Sequence, residues 1–330
     1  MSSFRSYAEQ AAHYFNRPHE HPATAPIASP ACWTGRDVAQ RTDWRAWLEP
    51  AHVDELRRAL QQAKNTGKPT GELSAADFPL PTLSAEIAHW RSQLIAGRGF
   101  QLVSGVPVEN WSQAESEIVF WCLGLHMGSP GAQNPQGDLL GHVVDTGDRA
   151  DDPYIRLYRT SATIAYHCDA ADVVGLLCLH GAKHGGASRI VSSVTVYNRV
   201  LERRPDLVGR LYEPFLLDLR NEVASGGIRY LPIPPCRFDG GRLRTFYHSD
   251  YFRSVTRHPD VPPFTTEERE LLDLYEEIGS DSDIYLDMDL ARGDIQWLSN
   301  HTILHARTAY EDHLEPERKR HLLRLWLSID

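Results

Sequence analysis

The chain of 330 residues lacks several features that mark particular classes of protein. No stretch approaches the roughly 20 apolar residues that a membrane span needs, and the N-terminal region has no long apolar core of a signal peptide. The five cysteines are odd in number and include no Cys-x-x-Cys pair, so neither a disulfide framework nor a zinc ribbon is indicated. These absences predict a protein of the reducing cytoplasm.

Positive charge is also scarce. The chain has 34 Lys and Arg against 44 Asp and Glu, a formal net charge of −10, and a pI near 5.9. This balance argues against a surface built for nucleic-acid phosphates, although a few local arginines can still bind a small anion. We therefore expect a small-molecule substrate, no nucleic acid and no membrane as partners, with the oligomeric state left open.

Short β-type runs separated by turn residues dominate the chain from about residue 140. Many short strands with Gly- and Pro-rich turns predict a mostly β fold with flanking helices, of the sandwich or jelly-roll type. Helices are predicted at 194–212 and 265–278, and one earlier strand at 99–103. The later strands are predicted at 154–158, 173–179, 189–193, 215–219, 228–231, 243–247, 284–286, 295–298 and 322–327.

One domain spanning residues 1–330 is the predicted organisation. Residues 1–75 are expected to form a polar, proline-rich N-terminal arm followed by helices, one of which is indicated by the spacing of Leu56 and Leu60. The core is expected to span about residues 75–330 with helical insertions. The sequence contains no internal repeat or low-complexity tract that would divide it.

The motif His-x-Asp is the first chemical signal, because a strand or tight turn can direct both side chains at one point. With a distant second histidine it forms the two-His-one-carboxylate face of non-haem iron(II) oxygenases, which leaves positions open for substrate and oxygen. Four copies of the motif occur in the chain: His52/Asp54, His167/Asp169, His248/Asp250 and His258/Asp260.

Sequence context separates the four copies. His52 lies at the start of a predicted helix, where residues two apart diverge, and His258 lies in a proline-rich turn. His167 follows the β-type run 163–166 and precedes the apolar strand VVGLLCL and the turn HGGAS, which favours it as the ligand. His248 also follows a strand, and the alternative interpretation is that it lines the same cavity or caps a turn.

The segment 293–307 predicts a strand, a turn and a second strand that ends near His305. His305 is therefore the favoured second imidazole, with His301 and His313 as less embedded alternatives. The later segment RHLLRLWL sorts by period two. One face carries Leu323, Leu325 and Leu327, and the other carries Arg320, Leu322, Arg324 and Trp326.

Two arginines on one face of an apolar strand are costly unless each finds an anion or hydrogen-bond partners. One interpretation is an edge strand with Arg320 and Arg324 in solvent or paired to acidic residues. The other is that each guanidinium binds a carboxylate through two hydrogen bonds. The preceding His305 favours the second interpretation.

These motifs together, namely HCD at 167–169, GGAS at 185–188 and GDIQWLSNHTILHART followed by RHLLRLW, resemble the taurine/dichlorophenoxyacetate dioxygenase family. The resemblance covers about residues 75–330. It implies a double-stranded β-helix fold and an iron(II)- and 2-oxoglutarate-dependent dioxygenase. It also implies that His167, Asp169 and His305 are the Fe(II) ligands.

The resemblance further implies that Arg320 and Ser188 bind the distal carboxylate of 2-oxoglutarate and that Arg324 binds an acidic group of the prime substrate. The implied reaction consumes O2, releases succinate and CO2, and hydroxylates a C–H bond of a small, carboxylate-bearing molecule. The alternatives are a cupin-type metal enzyme without 2-oxoglutarate, which has no use for Arg320, and a non-catalytic sensor, which is expected to have lost a ligand.

Two further sets of residues are open to interpretation. A substrate lid or a surface loop is indicated by Gln133, Asn134, Gly137 and the segment 142–146. An apolar wall of the pocket, or plain core, is indicated by Tyr166, Phe246, Tyr247 and Trp297.

Overall fold

The computed structural model describes residues 4–149, 151–152, 154–220 and 228–329. The helices in these ranges are α1 (Tyr7–Phe15), α2 (Gly35–Ala39), α3 (Pro50–Asn65), α4 (Ser84–Ile95), α5 (Gln113–Met127), α6 (Ser193–Arg203), α7 (Ser249–Ser254) and α8 (Thr266–Gly279). The strands are β1 (Arg45–Trp47), β2 (Phe100–Ser104), β3 (Ser129–Pro130), β4 (Leu140–Val144), β5 (Ile164–His167), β6 (Val173–His180), β7 (His184–Gly185), β8 (Ser188–Ser192), β9 (Phe215–Asp218), β10 (Tyr230–Ile233), β11 (Cys236–Asp239), β12 (Arg242–Thr245), β13 (Leu286–Met288), β14 (Ile295–Ser299), β15 (Ile303–Arg307), β16 (Tyr310–Glu311) and β17 (His321–Ser328).

Two sheets form the centre of the molecule. The larger has the order β1-β2-β14-β6-β17-β3, with β4 also paired to β17, and the smaller has the order β13-β8-β15-β5. Apart from the parallel β1–β2 pair, the pairings within both are antiparallel. Phe100, Val174 and Trp326 of the larger sheet share one buried cluster with Ile190 and Ile303 of the smaller. The two sheets therefore pack face to face.

Strand β17 shows how the alternation of side chains positions the site. Leu323, Leu325 and Leu327 point to the outer face, where they join a core formed with helices α3, α4 and α5. Arg324 and Trp326 point between the sheets, as the period-two pattern predicts. In the neighbouring strand β6, Gly175 lies on the outer face. A Cβ atom at this position would lie only 2.2 Å from Cζ3 of Trp297, so the glycine makes room for the indole ring.

The smaller sheet is covered on its outer face by α6 and α8. Val191 of β8 and Leu304 of β15 join the core that contains the buried apolar residues of these helices. The predicted helix 194–212 is divided in the structure, because Pro205 ends α6 and a 3-10 helix, Pro205–Tyr212, follows. Arg204, the residue before the proline, has the extended φ of −143° that a following proline favours.

The prediction of a strand at 154–158 was wrong. Its backbone makes local turn bonds, from Ile155 to Asp152, Arg159 to Arg156 and Thr160 to Leu157, and residues Leu157–Arg159 form a 3-10 helix. Leu157 and Tyr158 of this segment line a cavity instead of meeting a sheet neighbour. The other predicted strands are present with shifts of one or two residues at their ends.

No helix among the described residues is long and apolar enough to cross a membrane.

Candidate active site

Three side chains predicted as metal ligands meet at one end of the smaller sheet. His167 ends β5, Asp169 follows two residues later, and His305 lies in β15, where its Cα pairs with that of His167. The two imidazole rings lie 4.1 Å apart between centroids. One potential ligand atom from each of the three residues lies within 4.8 Å of the others. Strand pairing therefore assembles the cluster from positions 138 residues apart in sequence, 167 and 305.

Hydrogen bonds to neighbouring groups orient two of these side chains. The His167 Nδ1–H donates to the carbonyl of Ala165 at 2.9 Å, which leaves Nε2 unprotonated and free to bind a metal. The backbone N–H of Asp169 donates to Oδ1 of Asn300 at 3.1 Å, and Nδ2 of Asn300 donates to the carbonyl of Ala171. Asn300 is fully buried and fixes the turn that carries Asp169. No sequence pattern predicted this role.

The electrostatic environment favours the metal-binding forms of these residues. Burial opposes ionisation of Asp169, but nearby Arg324, His305 and His167 outweigh it and hold the pKa of that carboxyl below its ordinary value. Burial, followed by repulsion from His167, lowers the pKa of His305 to about 3. The cluster thus combines a carboxylate with a neutral His305 imidazole.

The cluster fits an iron(II) ion. Asp169 Oδ2 is buried and has no hydrogen-bond partner among the described residues. It lies 3.8 Å from Nε2 of His305, which is too long for a hydrogen bond. Two ligand atoms that each lie about 2 Å from one ion can be separated by up to about 4 Å. Two imidazoles and one carboxylate are the donor set of non-haem iron(II) oxygenases.

His248 lies beside the cluster but not in it. Its ring lies 5.1 Å from that of His167 and stacks on Tyr251 at 3.8 Å. It precedes α7 and forms a β-bridge with His167. Burial, followed by the charge of His167, holds the pKa of His248 well below its ordinary value. His248 instead lines a cavity next to the cluster, which agrees with the alternative interpretation of its motif.

The other histidine alternatives have different surroundings. His258 Nε2 pairs with Asp218 at 3.2 Å, and His301 Nε2 donates to Asp172 at 2.8 Å. His52 accepts a bond from the backbone of Glu49 at the start of α3. Among the described residues, neither these histidines nor His313 lies in a potential metal-binding group with His167 and Asp169.

A narrow cavity between the sheets joins the cluster to Arg320 and Ser188. The Arg320 side chain is 5% exposed, and its Nη1 has no hydrogen-bond partner in the described part of the chain. Ser188 Oγ donates to Oε1 of Gln296 at 2.8 Å. The glycine turn before Ser188 makes room for the guanidinium. Gly186 has a φ of +76°, and a Cβ there would lie 3.1 Å from Nε of Arg320.

A third arginine lines the same narrow cavity and was not predicted. Arg307 is 6% exposed, and its Nη2 donates to the carbonyls of Thr160 and Ala162 while Nη1 and Nε lack partners among the described residues. Burial, followed by repulsion from Arg320, lowers the pKa of Arg307 to about 10. Its position two residues after His305, on the same face of β15, was the available signal.

Arg324 lies where the narrow cavity meets a larger one. Its Nε donates to Oε1 of Gln133 at 2.7 Å, and Nε2 of Gln133 donates to the carbonyls of Arg324 and Leu139. Gln133 is 1% exposed, so its interpretation as a surface-loop residue was wrong. Asn134 does lie in a surface turn, where it bonds Asp138 at 2.7 Å. Most of segment 142–146 belongs to strand β4 and its following turn.

The larger cavity has a volume of about 660 Å³ and a mostly apolar lining. It opens onto His167 and Asp169 and is bounded on one side by α1. Of the four aromatic residues proposed as a wall, Phe246 lines this cavity. The remaining three belong to the buried hydrophobic cores: Tyr166, Tyr247 and Trp297. Tyr166 and Trp297 are strand residues whose side chains point to the helix-covered faces, and Tyr247 lies between β12 and α7.

Comparison with known proteins agrees with this geometry. The model of the family "Taurine catabolism dioxygenase TauD, TfdA family" matches residues 65–326. FR-33289 synthase of Streptomyces rubellomurinus is 31% identical over 314 residues, which cover 92% of this chain and 91% of that protein. Taurine hydroxylase-like protein SAT17 of Stachybotrys chartarum is 28% identical over 303 residues, covering 89% and 77%.

Solved structures show the same fold. Asparagine oxygenase in complex with Fe(II), 3-hydroxyasparagine and succinate aligns with a TM-score of 0.68 at 16% identity, over 86% of this chain and 93% of that one. The non-haem iron oxygenase OrfP with Fe and alpha-ketoglutaric acid aligns at 0.64 and 14%, over 87% and 94%. The predicted jelly-roll fold and family are thereby confirmed. The chain belongs to the TauD, TfdA family and is an iron(II)- and 2-oxoglutarate-dependent dioxygenase.

Proposed function

We propose that His167, Asp169 and His305 hold the Fe(II) ion of this dioxygenase. The observation that carries the proposal is their convergence, with ligand atoms within 4.8 Å of one another and an unpartnered, buried Asp169 Oδ2. The bond from His167 Nδ1 to Ala165 directs Nε2 at the same point. A sensor that had lost its metal would not need to retain all three.

Arg320 is proposed to bind the distal carboxylate of 2-oxoglutarate, with Ser188 as a further donor and Arg307 as a second positive charge. All three line the narrow cavity that also contains His305. A buried guanidinium with a free Nη1 is suited to a carboxylate, which it can bind by charge-assisted hydrogen bonds. A cupin-type enzyme that does not use 2-oxoglutarate would leave this charge uncompensated.

The prime substrate is proposed to be a small acid that binds in the larger cavity, with its anionic group at Arg324. Gln133 holds the Arg324 guanidinium at the junction of the two cavities. When bound, iron and 2-oxoglutarate would together activate O2, which would supply one oxygen atom to the hydroxylated C–H bond and the other to succinate as CO2 is released. The chain's own residues orient the acid, and the apolar lining limits access of water.

Hydroxylation is the proposed outcome because the solved relatives were captured with hydroxylated amino acids and succinate. The five cysteines are all free, which supports a reducing, cytoplasmic location. The net charge of −10 supports a partner set without nucleic acid.

Anaerobic titration of the metal-free protein with Fe(II) and then 2-oxoglutarate tests the site. We expect a visible metal-to-ligand charge-transfer band in the wild type and no band in His167→Ala, whose iron content should also fall. His248→Ala is the matched control, because this histidine lies beside the cluster without joining it, and it should retain the band. Loss of the band in His248→Ala with its retention in His167→Ala would contradict the ligand set.

A further inference from the structure

We propose that helix α1 is the substrate-selecting wall of the active site, and that the prime substrate is an acid with an extended apolar body lying along it. Helix α1 covers Tyr7–Phe15 and lies outside the residues 65–326 matched by the family model. The inference rests on the proposed function in that Arg324 receives the acidic group.

The buried stripe of α1 is polar. Tyr14 is 3% exposed, and its hydroxyl donates to the carbonyls of Asn300 at 2.8 Å and Thr245 at 3.2 Å. His13, one residue before it, donates from Nε2 to Asp172 at 2.9 Å. Gln10 is fully buried and accepts a bond from Ser328 Oγ. These positions share one face of the helix, and they anchor α1 to the loops behind the metal cluster.

The other face of α1 carries small and apolar residues that line the larger cavity: Tyr7, Ala8, Ala11, Ala12 and Phe15. Ala8 and Ala12 are solvent-exposed even though they line the cavity. A docked helix ordinarily buries its apolar stripe and exposes its polar one. Here the arrangement is reversed, so the alanine stripe faces open volume that a ligand can fill.

The two ends of the cavity-facing side of the helix meet different neighbours, which gives the cavity a direction. At the N-terminal end the Tyr7 ring stacks on Trp326, and Arg156 Nη2 bonds the Tyr7 hydroxyl at 3.4 Å. Arg156 also bonds the carbonyl of Gln133, the residue that holds Arg324. At the other end Phe15 meets the Phe246 ring at 4.9 Å. At about 1.5 Å per residue, the wall between these ends is about 12 Å long.

This layout favours one class of ligand. An anionic group at the arginine end leaves the remainder of the molecule against alanine and phenylalanine side chains, which offer no hydrogen bonds. Polar groups buried there would lose their water without compensation, whereas methylene groups gain from burial. An acid with an apolar chain therefore fits the wall that α1 provides.

Straight-chain carboxylates from butanoate to decanoate test the proposal. Their binding is measured by calorimetry under anaerobic conditions, on protein loaded with Fe(II) and saturated with 2-oxoglutarate. We expect the affinity of the wild type to rise about fourfold per methylene group until the wall is filled. Ala11→Leu and Ala12→Leu should each weaken decanoate binding at least tenfold and leave butanoate binding unchanged.

Ala88→Leu is the matched control, since Ala88 is an exposed alanine of α4 away from the cavity, and it should bind the whole series as the wild type does. Leucine is a good helix former, and circular dichroism verifies that the variants fold. A flat affinity series in the wild type, or α1 variants that match the wild type for decanoate, overturns the proposal. The charge-transfer band of the same samples reports on the proposed function separately, because a normal band with a flat series refutes only the role of α1.

Discussion

Arg320 offers a test that separates a functional arginine from a structural one. Its side chain is 5% exposed and its Nη1 has no partner in the described part of the chain. Its nearest ring, that of Tyr310, lies 5.2 Å from Cζ, and burial lowers the pKa of the guanidinium from its ordinary value. Without 2-oxoglutarate, the protein therefore carries a desolvated charge that is only partly compensated. An uncompensated charge of this kind destabilises a fold.

We expect Arg320→Met to have opposite effects on folding and on binding. Replacement of a buried charged group by an apolar one of similar size is often neutral or stabilising. The unfolding free energy of the cosubstrate-free variant should therefore stay within about 1 kcal/mol of the wild type or increase. Each charge-assisted hydrogen bond contributes about 1.5–3 kcal/mol, so the dissociation constant for 2-oxoglutarate should rise about 10- to 100-fold.

Urea denaturation of the metal-free protein measures the first quantity, and anaerobic titration of the charge-transfer band measures the second. Arg318→Met is the control, because Arg318 is exposed and pairs with Glu315 at the surface, and it should change neither. The reasoning is refuted if Arg320→Met loses about 3–5 kcal/mol of unfolding free energy, as removal of one partner of a buried ion pair does, while 2-oxoglutarate binds as before.

Two further predictions concern residues that hold the site in place. Gln133→Ala removes the acceptor of Arg324 Nε, so the KM for the acid should rise about tenfold. Titration of the charge-transfer band with 2-oxoglutarate should give the wild-type result. An unchanged KM would contradict this positioning role. Asp172→Asn weakens bonds from His13, Arg17 and His301 and should lower the unfolding free energy by about 2 kcal/mol near neutral pH. Burial raises the pKa of Asp172, but the bonds outweigh it and hold that pKa below its ordinary value. The stabilisation is therefore fully present above the ordinary carboxyl pKa and decreases progressively as the pH falls from about 4 towards the lower folded-state pKa. The difference in unfolding free energy between variant and wild type, measured by urea denaturation, should therefore shrink steadily below about pH 4.

The alternation of side chains made much of the site predictable. Period two on β17 placed Arg320 and Arg324 between the sheets and Leu323 on the outer face, because the strand has one face against helices and one against the cavity. The same rule would have found Arg307, two residues after His305. His-x-Asp alone was ambiguous, and His248 shows why, since it lies 5.1 Å from the His167 ring without joining the cluster.

What the sequence could not supply depends on long-range contacts. Asn300 fixes the turn of Asp169, yet no local pattern distinguishes it from any other loop asparagine. Gln133 resembled a loop residue until its contact with Arg324, 191 residues away, placed it in the interior. Segment 154–158 has strand-forming residues, but no strand among the described residues accepts its backbone bonds, and tertiary context overrides its propensity.

The residues that anchor α1 and the residue that fixes the Asp169 turn belong to one loop. A helix outside the residues matched by the family model can therefore border the candidate active site. Asn300 receives the Asp169 N–H on its side chain and the Tyr14 hydroxyl on its carbonyl. The next residue, His301, stacks on the Tyr14 ring at 4.7 Å and bonds Asp172, which also binds α1. The turn that presents Asp169 and the helix that bounds the larger cavity therefore rest on the same residues. Substitution of the cavity-facing alanines of α1 should therefore change the volume of the cavity while the contacts of its anchoring face stay in place.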